Sequence, residues 1–82
     1  MPHFVYILRS LKDDGYYIGE TMNVSERLQF HNAGLQRSTR NRIPFEIAHV
    51  EELPDRESAL KREKQIKSFK GGLALKKLLT RG

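Results

Sequence analysis

The chain has 82 residues, enough for one small domain with a single core. It contains no cysteine, so disulfides and a thiolate zinc site are excluded. Hydrophobic residues make up 38% and charged residues 30%, which is typical of a globular protein. The longest apolar run, "FVYIL", is too short to span a membrane, and the N-terminus lacks a secretion-signal layout. We therefore expect a cytoplasmic protein without a membrane partner.

Positive charge is concentrated in the C-terminal third. Residues 1–54 carry six basic and seven acidic side chains, whereas residues 55–82 carry nine basic and three acidic ones. A second basic cluster lies in "QRSTRNR", residues 36–42. Such patches attract polyanions, nucleic acid above all, through counterion release. A solvated basic surface that only keeps the protein in solution is the alternative.

The first half of the chain predicts a hairpin followed by a helix. "HFVYILRS" and "YYIGET" have strand composition and are separated by Asp14-Gly15, a turn signal. Asn23 as N-cap and Glu26 three residues later form a capping box, and Gly34 suits the left-handed position after a helix. We expect this helix at about residues 24–33.

The second half predicts one strand and two helices. "FEIAHVEEL" alternates, with Phe45, Ile47 and His49 on one face. Pro54-Asp55 opens a helix that ends near Gly71-Gly72, and "LALKKLL" forms a short last helix. The order ββαβαα predicts an α+β fold in one domain, residues 1–82, with helices packed on a small sheet.

The first predicted helix carries two polar residues on or beside its apolar stripe. Val24, Leu28 and Leu35 are its apolar positions, and Arg27 and His31 each follow one of them by three. Arg27 and His31 are also four residues apart, so their side chains are neighbours. An anion between them would explain the pair. Alternatively, both flank the stripe and reach water.

A carboxylate lies on the apparent buried side of the second predicted helix. Glu63 stands three residues from both Leu60 and Ile66, which mark that side. Burying a carboxylate alone is costly, so it needs a partner cation or a metal. A structural ion pair, for example with Arg27, is the alternative to a metal ligand.

Two tyrosines belong to the same hairpin. Tyr6 and Tyr17 share one face of the sheet if the numbers of paired residues add up to an odd sum, and a bulge would move one of them to the other face. Ordinary core rings are the alternative to a functional pair. Together with Arg27, His31 and Glu63 they favour phosphate chemistry. Phenol or imidazole would move protons, guanidinium would offset charge and carboxylate would hold a metal.

These stretches in their order resemble the GIY-YIG nuclease family. The resemblance covers about Phe4 to Phe69 and rests on the stretches "FVYIL", "YYIGET", "NVSERLQFHNAG" and "REKQIK". The chain is most similar to the short bacterial members in which the catalytic domain is the whole protein. The resemblance implies a three-stranded antiparallel sheet flanked by helices. It also implies hydrolysis of DNA phosphodiester bonds with one divalent cation, usually Mg²⁺, with Mn²⁺ as a substitute.

The resemblance also implies roles for individual residues. Tyr6 and Tyr17 match the tyrosines of the two signature triplets. Arg27 matches the arginine that contacts the scissile phosphate, and His31 occupies the position of a family His or Tyr. Glu63 matches the carboxylate that binds the metal.

The chain departs from the family pattern at three places. The first triplet reads Phe4-Val5-Tyr6, so only its tyrosine matches. Glu20 stands where some members, such as excision-repair nucleases, have a lysine. The asparagine that some members carry after the metal-binding glutamate is absent from "SFKGGLALKK".

We therefore expect a metal-dependent endonuclease acting on DNA. His31 is the preferred general base, since histidine titrates near ~6.5 and tyrosine near ~10. Tyr6 would position the water, or act as base if Arg27 and the metal lower its pKa. The expected nucleic-acid contacts are Arg37, Arg40, Arg42, Lys67, Lys70 and Lys76.

Two other functions remain open from the sequence. One is a nucleic-acid-binding module with weak or no catalysis, and the other is an accessory protein whose last helix docks a partner. The chain is too short for a separate DNA-reading module, so cleavage that is structure-selective, of a kind used in repair or recombination, or only weakly sequence-specific is favoured. An accessory protein would then supply any sequence specificity, and RNA is not excluded as substrate.

Overall fold

The sheet has three antiparallel strands, as expected from the resemblance. The structure is a computed structural model that describes residues 1–70 and 72–80, so Gly71, one of the two glycines predicted to end the second helix, lies outside the described residues. The strands are β1 (His3–Ser10), β2 (Tyr16–Thr21) and β3 (Phe45–Leu53), and they lie in the order β2-β1-β3. The helices are α1 (Val24–Asn32), α2 (Arg56–Lys67) and α3 (Leu73–Thr80). The predicted order ββαβαα is confirmed.

The turn between β1 and β2 determines which face each tyrosine occupies. Asp14 has a positive φ of 60°, and the Gly15 amide donates to the Asp13 carboxylate at 2.8 Å. The resulting register pairs Tyr17 with Leu8, and Leu8 lies two residues after Tyr6 on β1. Side chains two residues apart on a strand point to the same face, so both tyrosines lie together, the outcome expected for an odd pairing sum.

Local signals place α1 where the sequence predicted it. The Asn23 side chain accepts a hydrogen bond from the Glu26 amide at 3.0 Å, and Gly34 has a φ of 77° after the last turn. Leu35 does not belong to the apolar stripe, which is a correction to the prediction. It follows the glycine that ends the helix, and its side chain is 67% exposed.

The central strand β1 is covered on both faces. Four consecutive residues, 5–8, are at most 2% exposed, which explains why "FVYIL" is uniformly apolar. One face packs against Val24 and Leu28 of α1, and the other against side chains of α2 and α3. No helix among residues 1–70 and 72–80 is long and apolar enough to cross a membrane.

A bulge in β3 overturns the predicted alternation of that strand. Ile7 pairs with His49 and Leu8 with Ile47, so Ala48 is an extra residue between them. His49 therefore faces α2 instead of sharing a face with Ile47. The bulge depends on pairing with β1, which alternation within β3 does not reveal.

The buried side of α2 also differs from the prediction. Leu60 is 43% exposed, whereas Ala59 and Ile66 are fully buried. These two residues are seven apart, two helical turns, and they define the contact with the sheet. Glu63 consequently lies at the border of this contact, with a side chain that is 16% exposed.

Candidate active site

Three rings meet on the face of the sheet that α1 covers. Tyr6, Tyr17 and His31 have ring centroids 4.8–6.4 Å apart, and we call them the aromatic cluster. Phe45 of β3 adds an edge contact to His31 at 6.0 Å. The cluster exists because the hairpin register and the α1 stripe bring one strand pair and one helix together.

His31 is buried inside this cluster and does not reach water. Its side chain is 1% exposed, and both ring nitrogens are hydrogen-bonded. Nε2 lies 3.2 Å from the Tyr6 hydroxyl, and Nδ1 lies 2.9 Å from the Thr39 hydroxyl. A buried imidazole with two satisfied nitrogens has a defined orientation.

Thr39 is a site residue that the sequence analysis missed. It is fully buried at the end of the segment leading into a short 3₁₀ helix, Arg40–Arg42. Its hydroxyl also lies 3.4 Å from the Gln36 carbonyl. In the sequence it is one hydroxyl among basic residues of a loop, and no spacing links it to His31.

Gly19 explains why the second signature triplet contains a glycine. A Cβ atom there would lie 2.5 Å from the Tyr6 hydroxyl and 2.7 Å from the adjacent ring carbon. The Tyr6 ring thus lies directly over the backbone of β2. Any side chain at this position would have to push the ring away from His31.

The environment keeps the Tyr6 hydroxyl protonated and the His31 ring neutral. Burial and the adjacent Tyr17 raise the pKa of Tyr6. The carboxylates of Glu63 and Glu20 raise it further, whereas the charge of Arg27 lowers it. Burial and the Arg27 charge lower the pKa of His31. A protonated phenol beside a neutral imidazole is therefore the stable pair.

Arg27 is exposed at the margin of the cluster. Its guanidinium lies 5.5 Å from the centroid of the Phe30 ring, an arrangement typical of a cation–π contact. It also forms part of an open groove of about 1070 Å³, whose other walls include Glu20 and Arg56. The three cluster rings do not line this groove, so Arg27 connects the cluster with an accessible surface.

Glu63 pairs with Lys67, so the ion pair with Arg27 that the sequence left open is not formed. The carboxylate lies 2.7 Å from the Lys67 ammonium, one helical turn away. Since Lys67 is 55% exposed, its side chain has room to turn aside. Residues 1–70 and 72–80 contain no group of three or more His, Asp or Glu side chains suited to a metal. One carboxylate nevertheless fits Mg²⁺, which keeps several waters and takes substrate phosphate oxygens.

Glu20 is a second carboxylate near the cluster. Its side chain is 19% exposed, and one oxygen lies 3.9 Å from Arg56. The other oxygen, Oε2, is buried without a hydrogen-bond partner among the described residues. A negative charge here opposes an approaching phosphate unless a cation is present.

The six basic residues predicted to contact nucleic acid divide into two groups. Arg42 is bound to Asp13 at 2.9 Å, and Lys67 to Glu63. The other four are exposed and form no ion pair within the described part of the chain, namely Arg37, Arg40, Lys70 and Lys76.

Comparisons with known proteins agree on one family. Residues 2–72 match the GIY-YIG catalytic domain. A UPF0213 protein of Natronomonas pharaonis is 42% identical over 68 residues, which are 82% of this chain and 79% of that protein. A UPF0213 protein of Oceanobacillus iheyensis is 41% identical over 82% of this chain and 78% of its own.

A solved structure is also similar. The solution NMR structure of a UPF0213 protein from Bacillus halodurans is 34% identical, with a TM-score of 0.49 and 90% of each chain covered. The signature residues, the sheet order and the extent of the family match lead to one conclusion. The chain belongs to the GIY-YIG catalytic-domain family, whose members are generally nucleases.

Proposed function

We propose that the chain is a metal-dependent endonuclease that hydrolyses phosphodiester bonds of DNA. The observation that carries the proposal is the buried hydrogen bond between the Tyr6 hydroxyl and His31 Nε2 beside the exposed Arg27. Burying a titratable pair next to a cation costs folding free energy. Such arrangements are therefore concentrated at functional sites. Phosphate chemistry uses all three groups.

Arg27 would bind the scissile phosphate. Its guanidinium is exposed and its charge already acts on both Tyr6 and His31. A phosphate placed there would lie between solvent and the aromatic cluster. Charge that develops on its oxygens in the transition state would be stabilised by the guanidinium at short range.

His31 would act through Tyr6 rather than on water directly. Its Nε2 atom is occupied by the Tyr6 hydroxyl, so water has no open nitrogen to approach. Tyr6 is 2% exposed, so the attacking water would enter only together with the phosphate bound at Arg27. The Tyr6 oxygen would then take a proton from this water while its own proton moves to His31. A concerted transfer avoids a free phenolate, which the raised pKa of Tyr6 disfavours. Tyr17, beside both rings, would orient the water.

Glu63 would hold the divalent cation, Mg²⁺ or Mn²⁺, after Lys67 turns away. When bound, such an ion supplies Lewis-acid polarisation of the phosphate and stabilises the leaving oxygen. Lys67 would then be available to bind a phosphate of the same nucleic acid.

A direct test is the nicking of supercoiled plasmid with Mg²⁺, Mn²⁺ or EDTA. Branched, single-stranded and duplex DNA, and RNA, would be compared as substrates under identical conditions. We expect cation-dependent cleavage that is stronger on branched than on plain duplex DNA. Cleavage unaffected by EDTA, or none on any substrate, contradicts the proposal.

A nucleic-acid-binding module without catalysis is the second candidate. The position of Glu20, with an unpartnered carboxylate oxygen close enough to raise the pKa of Tyr6, favours this module over an accessory protein that docks a partner. The same substrates in a gel-shift assay separate cleavage from binding. Binding without cleavage, with either cation, would support the binding module.

A further inference from the structure

We propose that Thr39 is a positioning residue that holds His31 in the tautomer with its proton on Nδ1, leaving Nε2 to accept from Tyr6. The catalytic consequence rests on the proposed function, whereas the tautomer itself does not. No other residue of the described chain bonds to His31 Nδ1.

Only this tautomer gives every proton of the cluster an acceptor. When His31 carries its proton on Nδ1, the N–H group donates to the Thr39 oxygen at 2.9 Å, and the Thr39 hydroxyl donates to the Gln36 carbonyl at 3.4 Å. The Tyr6 hydroxyl then donates to Nε2 at 3.2 Å. Each of the three protons has an acceptor.

The opposite tautomer leaves one proton unsatisfied. A proton on Nε2 would be donated to the Tyr6 oxygen, and the Tyr6 hydroxyl would then need a second acceptor. The described residues provide none, and Tyr6 is 2% exposed. An unsatisfied buried hydroxyl is unfavourable, so the first arrangement is the stable one.

The backbone holds the Thr39 hydroxyl in place. The Thr39 amide donates to the Gln36 carbonyl at 3.1 Å, and the Thr39 carbonyl accepts from the Arg42 amide at 2.9 Å. The buried Ser10 hydroxyl donates to the Arg42 carbonyl at 2.6 Å, which ties this segment to the end of β1. Thr39 is itself fully buried, so water has no room to replace it.

The tautomer gives the proton a defined path. In the proposed reaction the water oxygen forms a bond to phosphorus, and the bond from phosphorus to the leaving oxygen breaks. The leaving oxygen then takes a proton from solvent. The O–H bond of the attacking water breaks as well, and its proton goes to the Tyr6 oxygen. The original Tyr6 O–H bond breaks, and an N–H bond forms at His31 Nε2. The resulting imidazolium keeps its Nδ1 proton bonded to Thr39, which remains neutral throughout.

Ring-nitrogen NMR tests the tautomer without any substrate. Two-bond ¹H–¹⁵N spectra would be recorded for the wild type, Thr39→Val and Thr39→Ser, with the His31 signals assigned by their loss in His31→Gln. We expect the proton on Nδ1 in the wild type and Thr39→Ser, and a shift towards Nε2 in Thr39→Val. Thr21→Val, which removes another buried hydroxyl outside the cluster, should leave the tautomer unchanged.

Two results would overturn the inference. One is a wild-type His31 with its proton on Nε2, and the other is an unchanged tautomer in folded Thr39→Val. If that variant fails to fold, the wild-type and Thr39→Ser spectra still decide. These readouts stand even if no substrate is cleaved, an outcome that would refute the proposed function alone.

Kinetics test the catalytic consequence. Thr39→Val should lower kcat by about 10- to 100-fold with little change in KM, as loss of an outer hydrogen-bond partner does at other sites. Thr39→Ser should restore most of kcat. The positioning role would be contradicted if Thr39→Val changed only KM and left kcat unchanged. It would also be contradicted if kcat of Thr39→Ser stayed as low as that of Thr39→Val.

Discussion

The Tyr6 hydroxyl lies over Gly19, where a Cβ atom would approach to 2.5 Å. We expect Gly19→Ala to displace the Tyr6 ring, because the neighbouring β2 backbone is paired along its length with β1. The Tyr6–His31 hydrogen bond should be lost, and cleavage should fall by about 10²-fold, as for loss of a general base. The His31 ring-nitrogen shifts and the plasmid-nicking rate measure the two effects.

Gly15→Ala is the matched control for that variant. A Cβ atom at Gly15 would approach the Arg42 guanidinium equally closely, but this is the end of a flexible side chain. Its cleavage rate should stay within about twofold of the wild type. Equal losses in both variants would show that the glycine effect is general rather than specific to Tyr6.

Glu63→Ala should abolish cation-dependent cleavage and leave nucleic-acid binding largely intact. The control is Glu57→Ala, since Glu57 is on the same helix and also pairs with a lysine four residues later, at 3.6 Å. That variant should keep its activity. If Glu63 only forms an ion pair, Glu63→Ala will keep its activity per folded molecule, as measured by nicking beside thermal melting.

Arg27→Ala should slow cleavage by about 10²–10³-fold at every pH, because one transition-state charge partner is lost. The residual activity should also change its pH dependence. Arg27 lowers the pKa of His31, so removing it raises that pKa and moves the rise of activity to higher pH. Lys61→Ala, which removes an exposed cation of α2, should change neither quantity. An unshifted profile would show that His31 does not control the rate.

His31 variants test the same proton path from its other end. His31→Ala removes the acceptor for the Tyr6 proton, so the rate should fall by about 10²–10⁴-fold and lose its titration step. His31→Tyr should keep partial activity with its pH dependence moved upward. Retention of both the wild-type rate and pH profile in His31→Ala would exclude the histidine from the reaction.

Binding to duplex DNA should weaken with salt. Four exposed basic residues outside ion pairs would contribute roughly −3.6 to the log–log slope, at about −0.9 for each phosphate contact, in addition to the contact of Arg27. Arg37→Ala should reduce the slope by about one unit. Arg42→Ala should leave it unchanged, because Arg42 is already bound to Asp13. Fluorescence anisotropy at several salt concentrations measures the slope for each variant. Equal changes of slope in Arg37→Ala and Arg42→Ala would contradict the division into free and ion-paired basic residues.

Acid should weaken the contact between β3 and α2. Hydrogen bonds from Arg62, and to a lesser extent from His49, hold the pKa of Glu51 at about 2, below its usual 4.5. The folded form therefore binds this proton less readily than the unfolded chain. The stabilisation is present above pH 4.5 and is lost as the pH falls towards about 2.

Glu51→Gln tests this contribution. We expect it to lower the free energy of unfolding by about 1–3 kcal/mol at pH 7. The difference from the wild type should shrink as the pH approaches 2. Urea denaturation at several pH values measures it, with Glu52→Gln on the exposed side of the strand as control. A difference that does not change with pH would assign the effect to packing.

Features that depend on neighbouring residues could be predicted from the sequence. The Asn23 cap, the glycine after α1 and the Asp14-Gly15 turn each involve a few adjacent positions. These local signals predicted the element order, whereas the shared face of Tyr6 and Tyr17 depended on the register of the hairpin. Because the family signature is also a set of ordered local stretches, membership could be predicted as well.

Which polar groups meet depends on the tertiary fold. The bulge at Ala48 places His49 on the face that α2 covers, where it bonds to Glu51, and Glu63 pairs with Lys67 instead of Arg27. Thr39 reaches His31 only because the segment after α1 folds back against the end of β1, through the Ser10–Arg42 hydrogen bond. Such contacts depend on how strands register and helices pack across the whole chain, and short-range sequence patterns carry no information about them.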